Sequence, residues 1–393
     1  MLSDPNFDNL DSILHVNRSN AYGGLEIYTL LLIKKILEKK GKTALYCMPG
    51  SKLEAEAKKL GIPIYHAIKK AKISPLDIIR IRKIINKNNF KIIHTHTSHD
   101  VWLCSLTLYF CKNTTQIFSL YMNSINKNNI FHRFIYKNVK SIVTSSNILN
   151  QQVKLHYPVF PNQVQLLRYG RDLEKYQKNN AIRKKIREFY NVHDDEIVVA
   201  TICRIDPQKG VKEFAESFLH FDAETKKKIK LWIVGEPTLK HLTKDQRPIY
   251  EPQSLQLFEW LNNFTLSPEI NERIQLIPFQ NDIISFLNAV DVFVLGTYKE
   301  TYSLSVLDAM AMGLPVIGTN SGGTPEQILH NERGLLVQPK SSLEISKAIS
   351  FYLNNPEHIA RHGENAKKWI QKEHSWQQKL ENLYCLYSQF NGK

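Results

Sequence analysis

Cysteine is scarce in this chain of 393 residues. Cys47, Cys104, Cys111, Cys203 and Cys385 are scattered and odd in number, with no CxxC pair and no Cys/His ligand spacing. Such spacing supports neither a disulfide framework nor a structural zinc site. Long apolar runs are missing as well. The longest, Val101 to Cys111, falls well short of the ~20 residues a membrane span needs. The N-terminal MLSDPNFDNLD is acidic and lacks an apolar signal core. A reducing compartment, the cytoplasm, is the expected location. Acidic residues are in deficit, 37 Asp and Glu against 52 Lys and Arg, for a formal net charge of +15. That excess calls for an anionic partner: nucleic acid, a phosphorylated substrate or an anionic membrane face. Taken one at a time, clusters such as Lys34-Lys35, Lys39-Lys40, Lys58-Lys59 and Lys226 to Lys228 are solvated helix faces. Helix-turn-helix, RNP-type and finger motifs are absent, so a basic nucleic-acid-binding protein rests on charge alone. No tandem repeat, low-complexity block or G-x-G-x-x-G is present.

What is present is an alternation of strands and helices. Strand patterns fall at Ile13–Val16, Thr43–Met48, Ile62–His66, Lys91–Asp100 with polar residues at its C-terminal end, Thr115–Tyr121, Ser141–Ser145 and Val164–Arg168. Helical periodicity runs over Leu25–Lys40 and Ser51–Leu60, and Ser74-Pro75 opens another helix to Asn86. A polar stretch from Asp172 to Glu196 is the best candidate boundary. The pattern then restarts with strands at Ile197–Cys203, Leu231–Val234, Ile274–Pro278, Val290–Leu295, Pro315–Thr319 and Gly334–Val337. Three helices, Ser342–Asn354, Pro356–Lys372 and Trp376–Phe390, close the chain. Two open parallel sheets, one per half, account for this order.

Chemistry-bearing residues gather at strand ends. Gly23-Gly24 lies between the first strand and first helix, where bare backbone N–H groups admit close approach of a ligand. His94 and His96 share one face of a strand, with His99 just beyond. No acidic or cysteine ligand is spaced to complete a metal set, so no metal is assigned. Arg204 and Lys209 flank a strand end and a helix start, an arrangement suited to a diphosphate. Gly235 turns the chain after the next strand. Glu300, the hydroxyls of Thr301, Tyr302, Ser303 and Ser305, and Asp308 then precede Gly322-Gly323 and Glu326.

Taken together these motifs resemble the retaining family 4 glycosyltransferases. Gly23-Gly24-Leu25-Glu26, His94-Thr95-His96, Arg204, Lys209-Gly210, Asp291 to Leu295, Glu300, Asp308 to Ala311, Gly313 to Ile317, Gly322-Gly323 and Glu326 follow the family order. The resemblance implies a GT-B fold, two facing Rossmann-like domains. Residues 1–172 would form the acceptor side, 173–373 the nucleotide-sugar side, and 374–393 a helix returning to the first domain. It implies transfer of a hexosyl unit from a nucleotide-diphosphate sugar to a glycan or lipid-linked saccharide, with UDP favoured over GDP. No cofactor or metal is expected, because Arg204 and Lys209 match the residues that neutralise the leaving diphosphate. Glu300 matches the carboxylate near the donor sugar. Asp308 stands where a glutamate usually meets the ribose. Thr301, Tyr302, Ser303, Leu304, Gly23, Gly24 and Gly235 match donor contacts. His96 matches the His-x-His strand end, and Tyr121 stands where a histidine often faces the sugar. Gly296-Thr297 replaces a Pro-Ser, and Tyr169-Gly170 replaces an Asn-Gly. A non-hydrolysing nucleotide-sugar epimerase is the alternative on the same architecture. The Lys-, Asn- and Ile-rich composition suits an AT-rich bacterial genome and surface polysaccharide assembly, with the enzyme peripheral at an anionic membrane.

Overall fold

Strands that are apolar on both faces must be covered on both faces, and that requirement organises the chain into layered parallel sheets. The computed structural model describes residues 5–69, 71–122, 126–242, 245 and 247–391. The extreme ends of the expected first domain and closing helix, residues 1–4 and 392–393, lie outside the described residues. The chain divides into two compact units. One runs to Gly170 and resumes at Trp376, and the other spans Arg171–Ser375.

The first unit comprises β1 (Ser12–Val16), α1 (Gly24–Glu38), β2 (Thr43–Cys47), α2 (Lys52–Lys59), β3 (Ile64–His66), α3 (Pro75–Asn88) and β4 (Phe90–Thr95). It continues with α4 (Ser98–Leu108), β5 (Thr115–Leu120), α5 (Ile130–Tyr136), β6 (Val139–Thr144), α6 (Asn147–His156) and β7 (Val164–Leu166). The strands pair in parallel in the order β3-β2-β1-β4-β5-β6-β7. Ser51, Ser74, Thr97 and Ser146 cap their helices by accepting the N3 backbone N–H, each stabilising its helix by about 1 kcal/mol. Helices α4 and α6 were not anticipated as such. Val101–Cys111 does not present an apolar face to a membrane as a whole. Val101, Leu103, Cys104, Leu108 and Cys111 are core, and only Tyr109 and Phe110 at its end are well exposed.

The second unit comprises α7 (Asn180–Phe189), β8 (Ile197–Ile202), α8 (Val211–Glu216), α9 (Ala223–Lys227), β9 (Ile229–Val234), β10 (Leu239–Leu242), β11 (Pro248–Tyr250), α10 (Pro252–Thr265) and β12 (Ile274–Ile277). After these come α11 (Ile283–Leu287), β13 (Val292–Leu295), α12 (Leu304–Ala311), β14 (Val316–Thr319), α13 (Thr324–Gln327), β15 (Gly334–Val337), α14 (Ser342–Asn354) and α15 (Pro356–Glu373). Its parallel sheet has the order β12-β9-β8-β13-β14-β15, and β10 and β11 form a separate antiparallel hairpin. The polar stretch after Asp172 belongs wholly to this unit. Its α7 is held by Arg183 and Arg187, which bond Asp291 at 2.7 and 3.1 Å. The last helix, α16 (Trp376–Ser388), packs into the first unit, where Lys379 Nζ donates to the Leu167 carbonyl at 2.9 Å. Among the described residues no helix is long and apolar enough to cross a membrane.

Each sheet reverses its strand order once, between β1 and β4 in the first unit and between β8 and β13 in the second. In an open α/β sheet the loops leaving neighbouring strands at that point diverge, and the crevice beyond their C-terminal ends is where ligands bind. Gly23-Gly24 and His96 follow β1 and β4. Arg204, Lys209 and Glu300 follow β8 and β13. The strand-end positions picked out by residue type therefore fall at the two switch points.

Candidate functional site

In the second unit, β8 delivers an exposed Arg204. A 3₁₀ turn, Pro207–Lys209, then leads into α8. Lys209 Nζ meets Glu300 Oε2 at 2.8 Å, and both side chains keep about a fifth of their surface in solvent. Loop packing makes the pair possible. A Cβ on Gly210 would lie 2.0 Å from the Gly296 carbonyl oxygen, so the loops after β8 and β13 touch backbone to backbone. Tyr298 N–H and Thr297 Oγ1 both donate to the Gln208 carbonyl, at 2.9 and 3.2 Å. Gly296 thus serves close approach where the family usually has Pro-Ser. On the other side, Gly323 N–H donates to the Glu300 carbonyl at 2.8 Å. The Gly322-Gly323 turn clamps the carboxylate-bearing loop from below.

Several backbone donors expected to face a ligand already have partners. Gly235 N–H donates to the Ile277 carbonyl at 2.9 Å, and its bare Cα faces the Cys203 carbonyl, 1.9 Å from where a Cβ would sit. Gly235 therefore holds the end of β9 against the end of β8. Thr301 N–H donates to Glu300 Oε1 at 3.1 Å. Ser303 is gripped by Gln327, whose Oε1 accepts its N–H and whose Nε2 donates to its carbonyl, both at 2.8 Å. Gln327 is fully buried; it was not among the expected residues, and a lone glutamine in a short helix carries no signal. Ser303 Oγ caps α12 by accepting Val306 N–H. Leu304 opens that helix, where N–H groups have no intrahelical acceptor. Tyr302 is buried by its side chain, with its hydroxyl 2.9 Å from His374 Nε2.

Asp308 also has a structural task. Its Oδ1 accepts Arg171 Nε at 2.5 Å and Tyr176 Oη at 2.7 Å, while Arg171 reaches on to the Leu304 carbonyl at 3.1 Å. Burial, followed by the Asp308 charge, raises the Tyr176 hydroxyl well above the ordinary tyrosine range. Neither Arg171 nor Tyr176 was foreseen as a partner of this carboxylate.

In the first unit, Gly23 caps α1, and Glu26 Oε2 accepts the Gly23 N–H at 2.9 Å. The Gly-Gly-x-Glu motif thus closes on itself at Gly23, and the N–H of Gly24 follows in the first turn. His96 is 3% exposed, and its Nε2 lies 2.9 Å from His15 Nδ1. Burial, then the nearby Lys379, pushes His96 down to about 3, so it is neutral near pH 7. His94 bonds Tyr387 Oη at 2.6 Å and Ser119 Oγ at 2.7 Å. With His15, which sits opposite His94 in the β1–β4 register, these rings stack as a buried trio. Their nearest ligand-type nitrogens lie within 4.8 Å of one another. Both His94 nitrogens are engaged by neighbours, and among the described residues no carboxylate or thiolate joins the trio. His15 Nε2 and His96 Nδ1 are buried with no hydrogen-bond partner among the described residues. Tyr121, just past β5, packs against Tyr28 and Tyr169 at 5.8 and 5.0 Å, and burial raises it to about 12. His99 is exposed on α4. Arg18 is a buried cation of this unit: its Nε bonds Asp100 Oδ1 at 2.8 Å and anchors the loop after β1.

Two parallel-sheet α/β units, each with polar loops at its switch point, have the architecture of the GT-B fold. Residues 22–175 match the Glycosyltransferase Family 4 domain and residues 182–369 match the glycosyl transferases group 1 domain. The chain belongs to this glycosyltransferase family. A capsular polysaccharide biosynthesis glycosyltransferase, CapM, of Staphylococcus aureus is 26% identical over 63% of this chain and 61% of its own. The chain therefore matches less than two thirds of that relative's length. In fold it is similar to a glycosyltransferase from Rickettsia africae, with TM-score 0.82 and 19% identity over 97% of this chain and 99% of that one. It is equally similar to Anabaena HepE in complex with UDP, with TM-score 0.82 and 15% identity over 96% of this chain and 100% of that one.

Proposed function

We propose that the protein is a retaining hexosyltransferase. It moves a sugar from a nucleotide diphosphate, with UDP as the favoured nucleotide, to a glycan or lipid-linked saccharide. The observation that carries this reading is the Lys209–Glu300 pair at the β8/β13 switch point, with the exposed Arg204 at the same strand end. As the bond from the anomeric carbon to the diphosphate breaks, negative charge grows on the departing phosphate oxygen. Arg204 and Lys209 are positioned to stabilise it, so the charge can be met without a metal. Glu300, held by Lys209 and by the glycine turn, keeps the lysine aligned and takes donor hydroxyls. The acceptor oxygen attacks from the face the leaving group vacates, and its proton passes to the departing phosphate. Such a step depends on close positioning more than on a strong base. The buried, neutral His96 and the packed Tyr121 are read as supports of the first-unit crevice. The capsular polysaccharide relative supports a role in bacterial surface polysaccharide assembly, and within that class O-antigen or lipopolysaccharide is the product proposed. A peripheral position at the inner face of the cytoplasmic membrane fits a lipid-linked acceptor.

A thermal-shift series with UDP- and GDP-sugars, followed by product analysis with and without a saccharide acceptor, tests the reading. Stabilisation by a UDP-sugar and acceptor-dependent release of UDP is the expected result, unchanged by excess EDTA. Epimerised donor with no transfer would overturn it in favour of the epimerase chemistry.

A further inference from the structure

The positive charge of the chain is concentrated. From Lys69 to Lys140 there are thirteen Lys and Arg against two acids, Asp77 and Asp100, which makes +11 of the chain's +15. Both acids are fully buried and internally engaged. Asp77 accepts the N–H groups of Ile68 and Lys69, and Asp100 holds Arg18. Neither offsets the charge outside. The same stretch of chain carries large apolar side chains that the fold leaves in water. On α5, Ile130, Phe131 and Phe134 are 76, 69 and 51% exposed, and at the end of α4 Phe110 is 59% exposed.

These groups form one surface. Tyr109 stacks on Phe134 at 4.8 Å, Arg82 lies 5.8 Å over Phe110, and Trp102 holds Lys72 over its ring at 3.5 Å. Trp102 also meets His132 of α5 edge-on at 5.4 Å. Lys112, Arg133 and Lys137 are exposed on these elements. Burial, then the nearby Lys127, pushes Lys72 down, and burial, then Lys127 and Lys72, pushes His132 down.

We propose that this α3–α4–α5 face docks on a bilayer containing anionic lipid, with Ile130 and Phe131 entering the headgroup boundary and Lys112, Arg133 and Lys137 meeting lipid phosphates. Cations alone would serve any polyanion. Aliphatic Ile130 has no use in stacking on nucleic-acid bases, and a hydrated polysaccharide offers it no burial. A bilayer takes both kinds of group at once. The inference names the surface behind the membrane-side reading above, and it rests on charge and exposure rather than on the transfer chemistry.

The test is flotation of the full chain with phosphatidylcholine vesicles, with and without phosphatidylglycerol. Selective binding to the anionic vesicles is expected. Lys112→Gln/Arg133→Gln/Lys137→Gln should weaken it roughly fivefold per cation, on the order of 100-fold in all. Ile130→Ser/Phe131→Ser should weaken it about tenfold or more, since two large apolar groups lose their burial. Thermal melts and UDP-sugar binding should match the parent in both variants, because neither set touches the second unit. Equal binding to neutral vesicles, or full anionic-vesicle binding by the Ile130→Ser/Phe131→Ser variant, overturns the proposal, the latter in favour of a soluble polyanion. Loss of UDP-sugar binding with intact flotation would count against the transferase reading alone.

Discussion

Gly322 sits behind the carboxylate loop, and replacing it tests whether that loop is held in place by the glycine turn. Its φ is +58°, a region where an L side chain costs about 1–2 kcal/mol. A Cβ there would lie 2.1 Å from the Glu300 carbonyl oxygen and 3.1 Å from its carbonyl carbon and nitrogen. All three contacts are backbone, so no rotamer change relieves them, and the turn or the Glu300 loop must shift by about 1 Å. Gly313 is the matched control in the same unit. Its φ is +73°, but a Cβ would find nothing nearer than 3.7 Å. Gly313→Ala should therefore lose only the backbone term, about 1–2 kcal/mol. Gly322→Ala should lose a further ~1–3 kcal/mol from overpacking, and transfer should fall on the order of 100-fold through misplacement of Glu300. Urea unfolding followed by a second-unit probe such as Trp232 fluorescence, beside UDP-sugar titration and turnover, reads both quantities. Equal destabilisation of the two variants with unchanged turnover would refute the clamp.

Lys209→Met should lower turnover about 10²–10³-fold through lost leaving-group stabilisation, while stability changes by only ~1 kcal/mol because the ion pair is partly solvated. A stability loss that fully accounts for the activity loss would reduce Lys209 to a structural role. Asp308→Asn should cost about 1.5–3 kcal/mol by weakening the charged bonds from Arg171. Tyr176→Phe, which removes the tyrosine hydroxyl's bond to Asp308 without touching the carboxylate, separates structure from ligand contact. A donor KM raised by Asp308→Asn and unchanged by Tyr176→Phe would mark a ribose contact. Burial pushes Lys379 down to about 7. Its folded-state value lies below its unfolded one, so the unfolded chain binds the extra proton. First-unit stability should then rise with pH from about 7 toward the ordinary lysine range, and Lys379→Met should flatten that rise in pH-dependent melts.

Much of this molecule follows from residue order alone. Near-continuous apolar strands such as Ile229–Val234 and helix starts marked by Ser51 and Ser74-Pro75 specify two parallel α/β units, because periodicity and capping are local physics. The positions of Arg204, Lys209 and Glu300 at strand ends were legible for the same reason. Partnership was not. That Gln327 takes both backbone groups of Ser303, that Arg171 and Tyr176 share Asp308, and that His15 completes the stack with His94 and His96 depend on residues 24, over 130 and about 80 positions apart. Exposure was equally hidden. Val101–Cys111 reads as more apolar than Ile130–Tyr136, yet packing buries most of the first and leaves Ile130, Phe131 and Phe134 in solvent. The sequence by itself determined the sheets, the switch-point loops and the surplus of positive charge. Tertiary structure alone decided which donors at those loops are already spent and on which face the charge meets exposed aromatic side chains, since both depend on contacts made only after the chain has closed on itself.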